Sequence, residues 1–206
     1  MAFCWKCWLA ALLATALFCV AAFIWLDMPI AHYFASSAPH WGLLGTIFAG
    51  PVLVGLIAAV ILPLLLLRLV RGTLSDFAET VIVAGGAALA SFSVNDFVLK
   101  RIFGRTDVAD SLANPATAGL HLFGGDMNSS FPSGHAVMAA AGLVAFIRVY
   151  PRWRPAAIAA LVLMVVLLLV GDWHFLSDIA AGLYLGALAG AVAGDLARSH
   201  FAQRRS

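Results

Sequence analysis

Six apolar stretches of membrane-spanning length limit what this chain can fold into. A helix needs about 20 apolar residues to cross a bilayer, and hydrophobic residues make up 63% of the 206-residue chain while charged residues make up only 11%. The hydropathy pattern therefore predicts an all-α integral membrane protein, a six-helix bundle forming a single domain over residues 1–206 with its core at 77–197. The predicted spans are Trp8 to Trp25, Leu43 to Leu67, Phe77 to Phe97, Ser133 to Tyr150, Ala156 to Gly171 and Asp178 to Leu196.

The basic residues predict the orientation of this bundle, because short cytoplasmic loops retain Lys and Arg. If both termini are cytoplasmic, nine of the twelve basic residues face the cytoplasm: Lys6, Arg68, Arg71, Arg148, Arg152, Arg154, Arg198, Arg204 and Arg205. Lys100, Arg101 and Arg105 fall together on the outer face. An anionic ligand would explain that cluster, and so would snorkelling at the end of the third span. The basic residues form no extended patch, so we expect no nucleic-acid partner.

Two histidines stand out in the apolar background. His135 ends the segment Phe131-Pro132-Ser133-Gly134-His135, and His174 precedes Asp178 by four residues. The fourth and fifth spans lie between the two histidines and form a helical hairpin, so both histidines return to the same membrane face. A lone histidine at a membrane interface is usually structural. Two histidines with a carboxylate and a cation cluster favour a functional site instead.

The residues around each histidine are suited to phosphate chemistry. Pro132 and Ser133 indicate a helix N-terminus, where backbone amides and the helix dipole bind anions, and Gly134 lets a phosphate approach closely. His135 would then reach a phosphate oxygen and donate a proton near neutral pH. If the sixth span begins early enough, Asp178 and His174 share a helical face, and the carboxylate would fix the histidine tautomer for nucleophilic attack.

Together these motifs resemble the type 2 phosphatidic acid phosphatase superfamily, whose site is related to that of the vanadium haloperoxidases. The family pattern is Lys-x6-Arg-Pro, then Pro-Ser-Gly-His, then Ser-Arg-x5-His-x3-Asp. This chain has the complete second motif and the His-x3-Asp of the third. The resemblance implies that His174 is a nucleophile forming phosphohistidine, that Asp178 orients it and that His135 protonates the leaving oxygen. It also implies that Lys100, Ser133 and the Gly134 amide hold the phosphate without a metal or other cofactor.

The chain departs from the family pattern at two arginines. Counted from Lys100, the first-motif arginine falls on Asp107 and its proline on Val108, and the third-motif arginine falls on Leu168. Arg105 is one candidate replacement for phosphate binding and Arg101 another. Losing a positioned charge from a transition-state clamp commonly costs orders of magnitude in rate, so a weak, specialised or inactive enzyme stays an alternative.

The resemblance leaves three functions open. We expect a membrane lipid phosphatase that hydrolyses a lipid phosphate or diphosphate at the outer face of a bacterial inner (plasma) membrane, with its site facing the periplasm or the exterior. A phosphotransferase using the same phosphohistidine is chemically adjacent. A non-catalytic lipid-phosphate binding or transport protein is the alternative from another class. The candidate substrates are phosphatidic acid, phosphatidylglycerophosphate, an isoprenyl diphosphate and a phosphorylated saccharolipid.

Overall fold

A computed structural model describes residues 4–36 and 49–205, which form helices joined by turns and loops, with no strand among them. The described helices, numbered in chain order, are α1 (Trp5–Trp25), α2 (Asp27–Ala35), α3 (Gly50–Arg71), α4 (Asp76–Val94), α5 (Lys100–Phe103), α6 (Val108–Ala113), α7 (Gly134–Val149), α8 (Arg154–Val170) and α9 (Leu176–Arg205). A π-helical turn, Asn95–Leu99, joins α4 to α5 without a break.

The predicted spans correspond to α1, α3, α4, α7, α8 and α9. Five helices are long and apolar enough to cross a membrane, and they are Trp5–Trp25, Gly50–Arg71, Asp76–Phe103, Pro151–Val170 and Leu176–Arg204. The remaining one, α7, is a shorter apolar helix of 16 residues. The first part of the predicted second span, residues 43–48, lies outside the described residues. The all-helical fold is confirmed, its long apolar helices fit a membrane protein, and the six-span count stays a prediction.

Small residues allow α7 and α9 to pack closely. Glycines recur at every fourth position along α9, which puts them on one helical face, and that face lies against the backbone of α7. A Cβ atom added at Gly186 would lie 2.2 Å from the carbonyl oxygen of Val137, and one at Gly190 would lie 2.4 Å from that of Ala141. Backbone contact of this kind is typical of helix packing in membranes. It fixes the start of α7 beside the start of α9, which is where the two histidines lie.

The paired charged side chains lie at the two ends of the bundle. At the end opposite the histidines, buried Glu79 contacts Arg68 at 3.2 Å and Arg204 at 3.4 Å. Asp195 on α9 accepts a hydrogen bond from the Nε of Arg148 on α7 at 2.8 Å. These pairs bring together basic residues that the sequence assigned to one face. The compartment that each end faces stays a prediction.

The long connection between α4 and α7 folds over the histidine end. It contains α5, α6 and a 3-10 turn at Pro115–Thr117. Gly104 adopts a left-handed conformation (φ 56°), and an added Cβ would lie 2.3 Å from the carbonyl oxygen of His121. Only glycine fits such a position. This tight turn directs the following residue, Arg105, into the protein interior.

Candidate active site

The Pro132-Ser133-Gly134-His135 motif begins α7 as the sequence predicts. The Ser133 hydroxyl caps the helix by accepting a hydrogen bond from the Ala136 amide at 3.4 Å. The Ser133 amide donates to the backbone carbonyl of Asp178 at 3.0 Å. The side-chain amide of Asn95 donates to the carbonyl of Pro132 at 3.0 Å. The loop is therefore held from both sides, by α9 and by the end of α4.

His174 lies in the short loop between α8 and α9, two residues before α9 begins at Leu176. The condition that α9 starts early enough to place His174 and Asp178 on one helical face is therefore not met. Asp172 takes a left-handed conformation (φ 51°) in this loop, and the Trp173 amide donates to the carbonyl of Leu168 at 3.1 Å. The loop still brings Nδ1 of His174 to 3.8 Å from Oδ2 of Asp178.

The two predicted catalytic histidines lie side by side. Nδ1 of His135 is 3.3 Å from Nε2 of His174, although 39 residues separate them in the chain. Nδ1 of His174 is buried and has no hydrogen-bond partner among the described residues. The 3.8 Å between this atom and Asp178 is too long for a hydrogen bond but short enough for electrostatic orientation. The sequence-predicted trio of His135, His174 and Asp178 thus meets at one place.

Asp178 is completely buried and has partners on both oxygens. Its Oδ2 accepts a hydrogen bond from the Phe175 amide at 3.1 Å. Its Oδ1 accepts one from Arg105 at 2.5 Å. Because burying an unpaired carboxylate is costly, these donors offset the burial of Asp178.

Arg105 lies in the protein interior next to Asp178. Its side chain is 4% exposed, and its second terminal nitrogen pairs with Asp27 at 2.8 Å. The guanidinium also lies over the rings of Phe175 and Phe23, at 4.0 and 4.8 Å from their centres. Two carboxylates and two aromatic rings therefore surround it. The structure places this guanidinium against Asp178, and phosphate binding by Arg105 stays a prediction.

Lys100 and Gly134 lie close together beside the start of α7. The Lys100 ammonium is 3.1 Å from Oδ1 of Asp96 and donates to the carbonyl of Met127, also at 3.1 Å. The same oxygen of Asp96 would be 3.2 Å from a Cβ added at Gly134. The Asp96 carboxylate thus lies between the Lys100 ammonium and the N-terminus of α7. Arg101, the other candidate replacement, has an exposed side chain.

A cavity of about 320 Å³, here called the histidine cavity, opens beside the two histidines. Burial raises the pKa of Asp172 above its ordinary value of 3.8. Asp107, which takes the place of the first-motif arginine, caps α6 by accepting from the Asp110 amide at 2.8 Å. The described residues that line the histidine cavity include no Lys or Arg. They are Ala49, Asp107, Val108, Ala109, His135, Asp172, Trp173 and His174.

A second cavity, here called the apolar cavity, extends from the histidines between α3, α4, α7 and α8. Its volume is about 630 Å³. Leu53, Ile57, Met138 and Met164 are among its lining residues, and His135 and Trp173 line both cavities. A polar site therefore adjoins an apolar volume large enough for hydrocarbon chains.

The comparison with protein families decides what kind of protein this is. A family model described as the PAP2 superfamily matches residues 79–198, more than half of the chain. The chain belongs to the PAP2 superfamily. Members are generally phosphatases, which supports activity on phosphate substrates. No curated protein and no solved structure gives a significant match.

The superfamily match covers the two histidine motifs but leaves out Asp27. This residue begins α2 and is buried. Its Oδ1 accepts from the Ser177 amide at 3.0 Å, and its Oδ2 from the Ser177 hydroxyl at 2.5 Å. An acidic residue after the first span carries no sequence signal for a role 150 residues away, so sequence reasoning missed it. The third-motif arginine position is filled by Leu168, which is buried against Ala136 and Ile179.

Proposed function

We propose that the protein hydrolyses a phosphate ester or diphosphate of a membrane lipid through a phosphohistidine on His174. One observation carries this proposal: the His135–His174 pair, 3.3 Å apart, lies where a polar cavity meets an apolar one. Superfamily membership supports the phosphate chemistry. The adjoining cavities support a substrate with a polar head and a hydrocarbon tail.

The apolar cavity is suited to the lipid chains. Side chains of four helices line it, and their aliphatic and thioether groups gain contact with hydrocarbon without losing hydrogen bonds. Since His135 lies at its end, a chain in this cavity would place its phosphate beside the two histidines. We therefore assign the head group to the histidine cavity and the chain to the apolar cavity.

The tautomer of His174 follows from its neighbours. Nδ1 faces Asp178, so a proton on Nδ1 is favoured there, and Nε2 keeps its lone pair. With that tautomer, Nε2 of His174 would accept a hydrogen bond donated by Nδ1–H of His135 across 3.3 Å. A substrate must displace His135 from this bond, because a 3.3 Å gap leaves no room for phosphorus. The displaced imidazole then bonds to the leaving oxygen of the substrate.

The first chemical step transfers the phosphoryl group to His174. A bond forms between Nε2 and phosphorus while the bond from phosphorus to the lipid oxygen breaks. His135, in its protonated form, gives its proton to that oxygen, so the lipid leaves as an alcohol or as a lower phosphate. Asp178 balances the positive charge that grows on the His174 ring.

The second step returns the enzyme to its starting state. His135, now neutral, takes a proton from a water molecule as that water attacks phosphorus. The bond from nitrogen to phosphorus breaks, and inorganic phosphate leaves His174 neutral. Amides at the start of α7 and the Lys100 ammonium would neutralise the phosphate oxygens in both steps. Lys100 would reach them by giving up its bond to the carbonyl of Met127.

Phosphate release from a lipid panel tests the proposal. The panel is phosphatidic acid, phosphatidylglycerophosphate, an isoprenyl diphosphate and a phosphorylated saccharolipid, each presented in detergent micelles with and without a chelator. Glycerol phosphate serves as the chain-free control. We expect chelator-resistant phosphate release from at least one lipid and at least tenfold less from glycerol phosphate, since it cannot use the apolar cavity. Equal turnover of glycerol phosphate would contradict the lipid assignment.

One observation favours the non-catalytic alternative as a second candidate. The described lining of the histidine cavity contains Asp107 and Asp172 but no Lys or Arg, so the cavity lacks the fixed cations that phosphoryl transfer normally uses. A protein that binds lipid phosphate without releasing phosphate from any member of the panel would fit this alternative.

A further inference from the structure

The geometry points to Asp27 as a positioning residue that acts on the His174–Asp178 pair through Arg105. This inference rests on the proposed function, because it concerns how His174 is activated. Asp27 lies in the N-terminal part of the chain, outside residues 79–198 that match the superfamily. It reaches the site by a continuous chain of buried contacts.

Those contacts use both terminal nitrogens of Arg105, while its Nε is buried without a hydrogen-bond partner among the described residues. One terminal nitrogen of Arg105 donates to Asp178 at 2.5 Å and to the Ser177 hydroxyl at 2.6 Å. The other donates to Asp27 at 2.8 Å. All four side chains are buried. Asp27 and Ser177 thus fix the orientation of the guanidinium. The guanidinium in turn fixes the position of the Asp178 carboxylate.

The charges in this network decide its effect on His174. Arg105 alone would neutralise Asp178 and weaken its attraction for the proton on Nδ1 of His174. Asp27 supplies a second negative charge, so Asp27, Arg105 and Asp178 carry a net charge of minus one. This residual charge favours the positive ring that forms when His174 attacks phosphorus. Asp27 thereby lets Arg105 fix the position of Asp178 without cancelling its charge.

Other ionisable groups also act on His174 and are common to every variant described below. Three of these groups line the histidine cavity with His174: His135 on α7, Asp107 at the start of α6 and Asp172 in the His174 loop. The others lie near residues that contact the site. They are Cys19 of α1, whose thiol donates to the Ser177 carbonyl, and the Asp96–Lys100 pair beside Gly134. Because they do not change, differences in pH dependence between variants report on Asp27 and Arg105.

The signs of the expected shifts separate positioning from simple structural support. Asp27→Asn removes one negative charge and keeps hydrogen-bonding atoms. Protonation of the nucleophile then becomes less favourable, so the acid limb of the kcat/KM profile should move to lower pH. Arg105→Gln removes the positive charge and should move the same limb to higher pH. The Asp27→Asn/Arg105→Gln double variant should lie near the wild-type limb. At an effective dielectric constant of about 20, each shift is on the order of one pH unit.

Glu79→Gln is the matched control. Glu79 is buried and paired with two arginines at the opposite end of the bundle. Its substitution removes a buried carboxylate of similar exposure without touching the histidines. It should leave the acid limb and the kcat per folded molecule unchanged.

The deciding experiment is the pH profile of phosphate release by full-length Asp27→Asn and Glu79→Gln protein, each normalised to the folded fraction. We expect Asp27→Asn to lower kcat about tenfold, to leave KM within twofold and to shift the acid limb downward. Unchanged kcat and limb in Asp27→Asn, or an equal loss in Glu79→Gln, would overturn the inference even if Arg105→Gln does not fold. A wild-type protein that releases no phosphate would instead overturn the proposed function.

Discussion

The two ends of the bundle both contain buried carboxylates paired with arginine, but the pairs are connected differently. At the histidine end, one guanidinium bridges Asp27 and Asp178, and Asp178 faces a histidine. At the other end, Glu79 has two arginines and no histidine within its pairs. Of these two sets of pairs, only the one at the histidine end leads to a side chain that can act as a nucleophile or a proton donor.

Removal of the central arginine should show the largest contrast between the two ends. Arg105→Ala leaves two buried carboxylates without a neutralising cation, so it should destabilise the fold by about 3–5 kcal/mol and lower kcat of the remaining folded protein roughly a hundredfold. Arg148→Ala breaks a more exposed pair with Asp195 and should leave kcat unchanged. Thermal unfolding and phosphate release measured on both proteins would check this. Similar kcat values for the two variants would remove the distinction.

Loss of the proposed phosphate cation should have the next largest effect. Lys100→Met removes an ammonium that would stabilise the transition state, and we expect kcat/KM to fall about a hundredfold. Arg68→Met is the control, because Arg68 also pairs with a carboxylate, that of Glu79 at the other end of the bundle. It should change kcat/KM less than twofold. Equal effects in steady-state assays would assign Lys100 to structure alone.

Sequence and structure agree where the relevant residues are close in the chain or belong to regular helices. The spans, the cap at Ser133 and the proximity of His135 to His174 follow from hydropathy, helix-start signals and hairpin spacing. Superfamily membership, which the motifs predicted, is confirmed. The partners of Arg105 could not be predicted, because they come from Asp27, 78 residues earlier, and Asp178, 73 residues later. The sequence places Arg105 in a cluster of three basic residues near the predicted anion site. Nothing in that pattern indicates that its side chain is buried.

Removing a carboxylate from the lining of the histidine cavity should improve substrate binding, whereas removing Arg105 or Lys100 should impair catalysis. The expected effect is also smaller. Asp107→Asn keeps an N-cap acceptor but removes a negative charge beside the proposed phosphate position. We expect KM for a lipid phosphate to fall about threefold to tenfold, by analogy with partly exposed charge interactions. Asp110→Asn, on the same helix but outside the cavity lining, should leave KM unchanged. A higher KM in Asp107→Asn would show that the carboxylate helps to bind the substrate.

The smallest expected effect concerns stability at Asp172. Burial raises the pKa of this carboxyl in the folded protein, so the unfolded chain ionises more readily and folded stability falls as pH rises from about 4 through the raised pKa. Asp172→Asn should therefore raise Tm at pH 7 by roughly 2 °C, and this gain should shrink below pH 4. Thermal unfolding in detergent at several pH values measures it. A gain independent of pH would point to the left-handed backbone instead, which Asn adopts readily.

In the proposed mechanism, His174 becomes covalently phosphorylated while His135 acts on the leaving group. Rapid quenching of the protein with a phosphorus-labelled nitrophenyl phosphate tests it directly, because nitrophenolate needs little protonation to leave. We expect an acid-labile, base-stable phosphoprotein in wild type and in His135→Ala, and none in His174→Ala. Phosphoprotein or steady phosphate release in His174→Ala would contradict it.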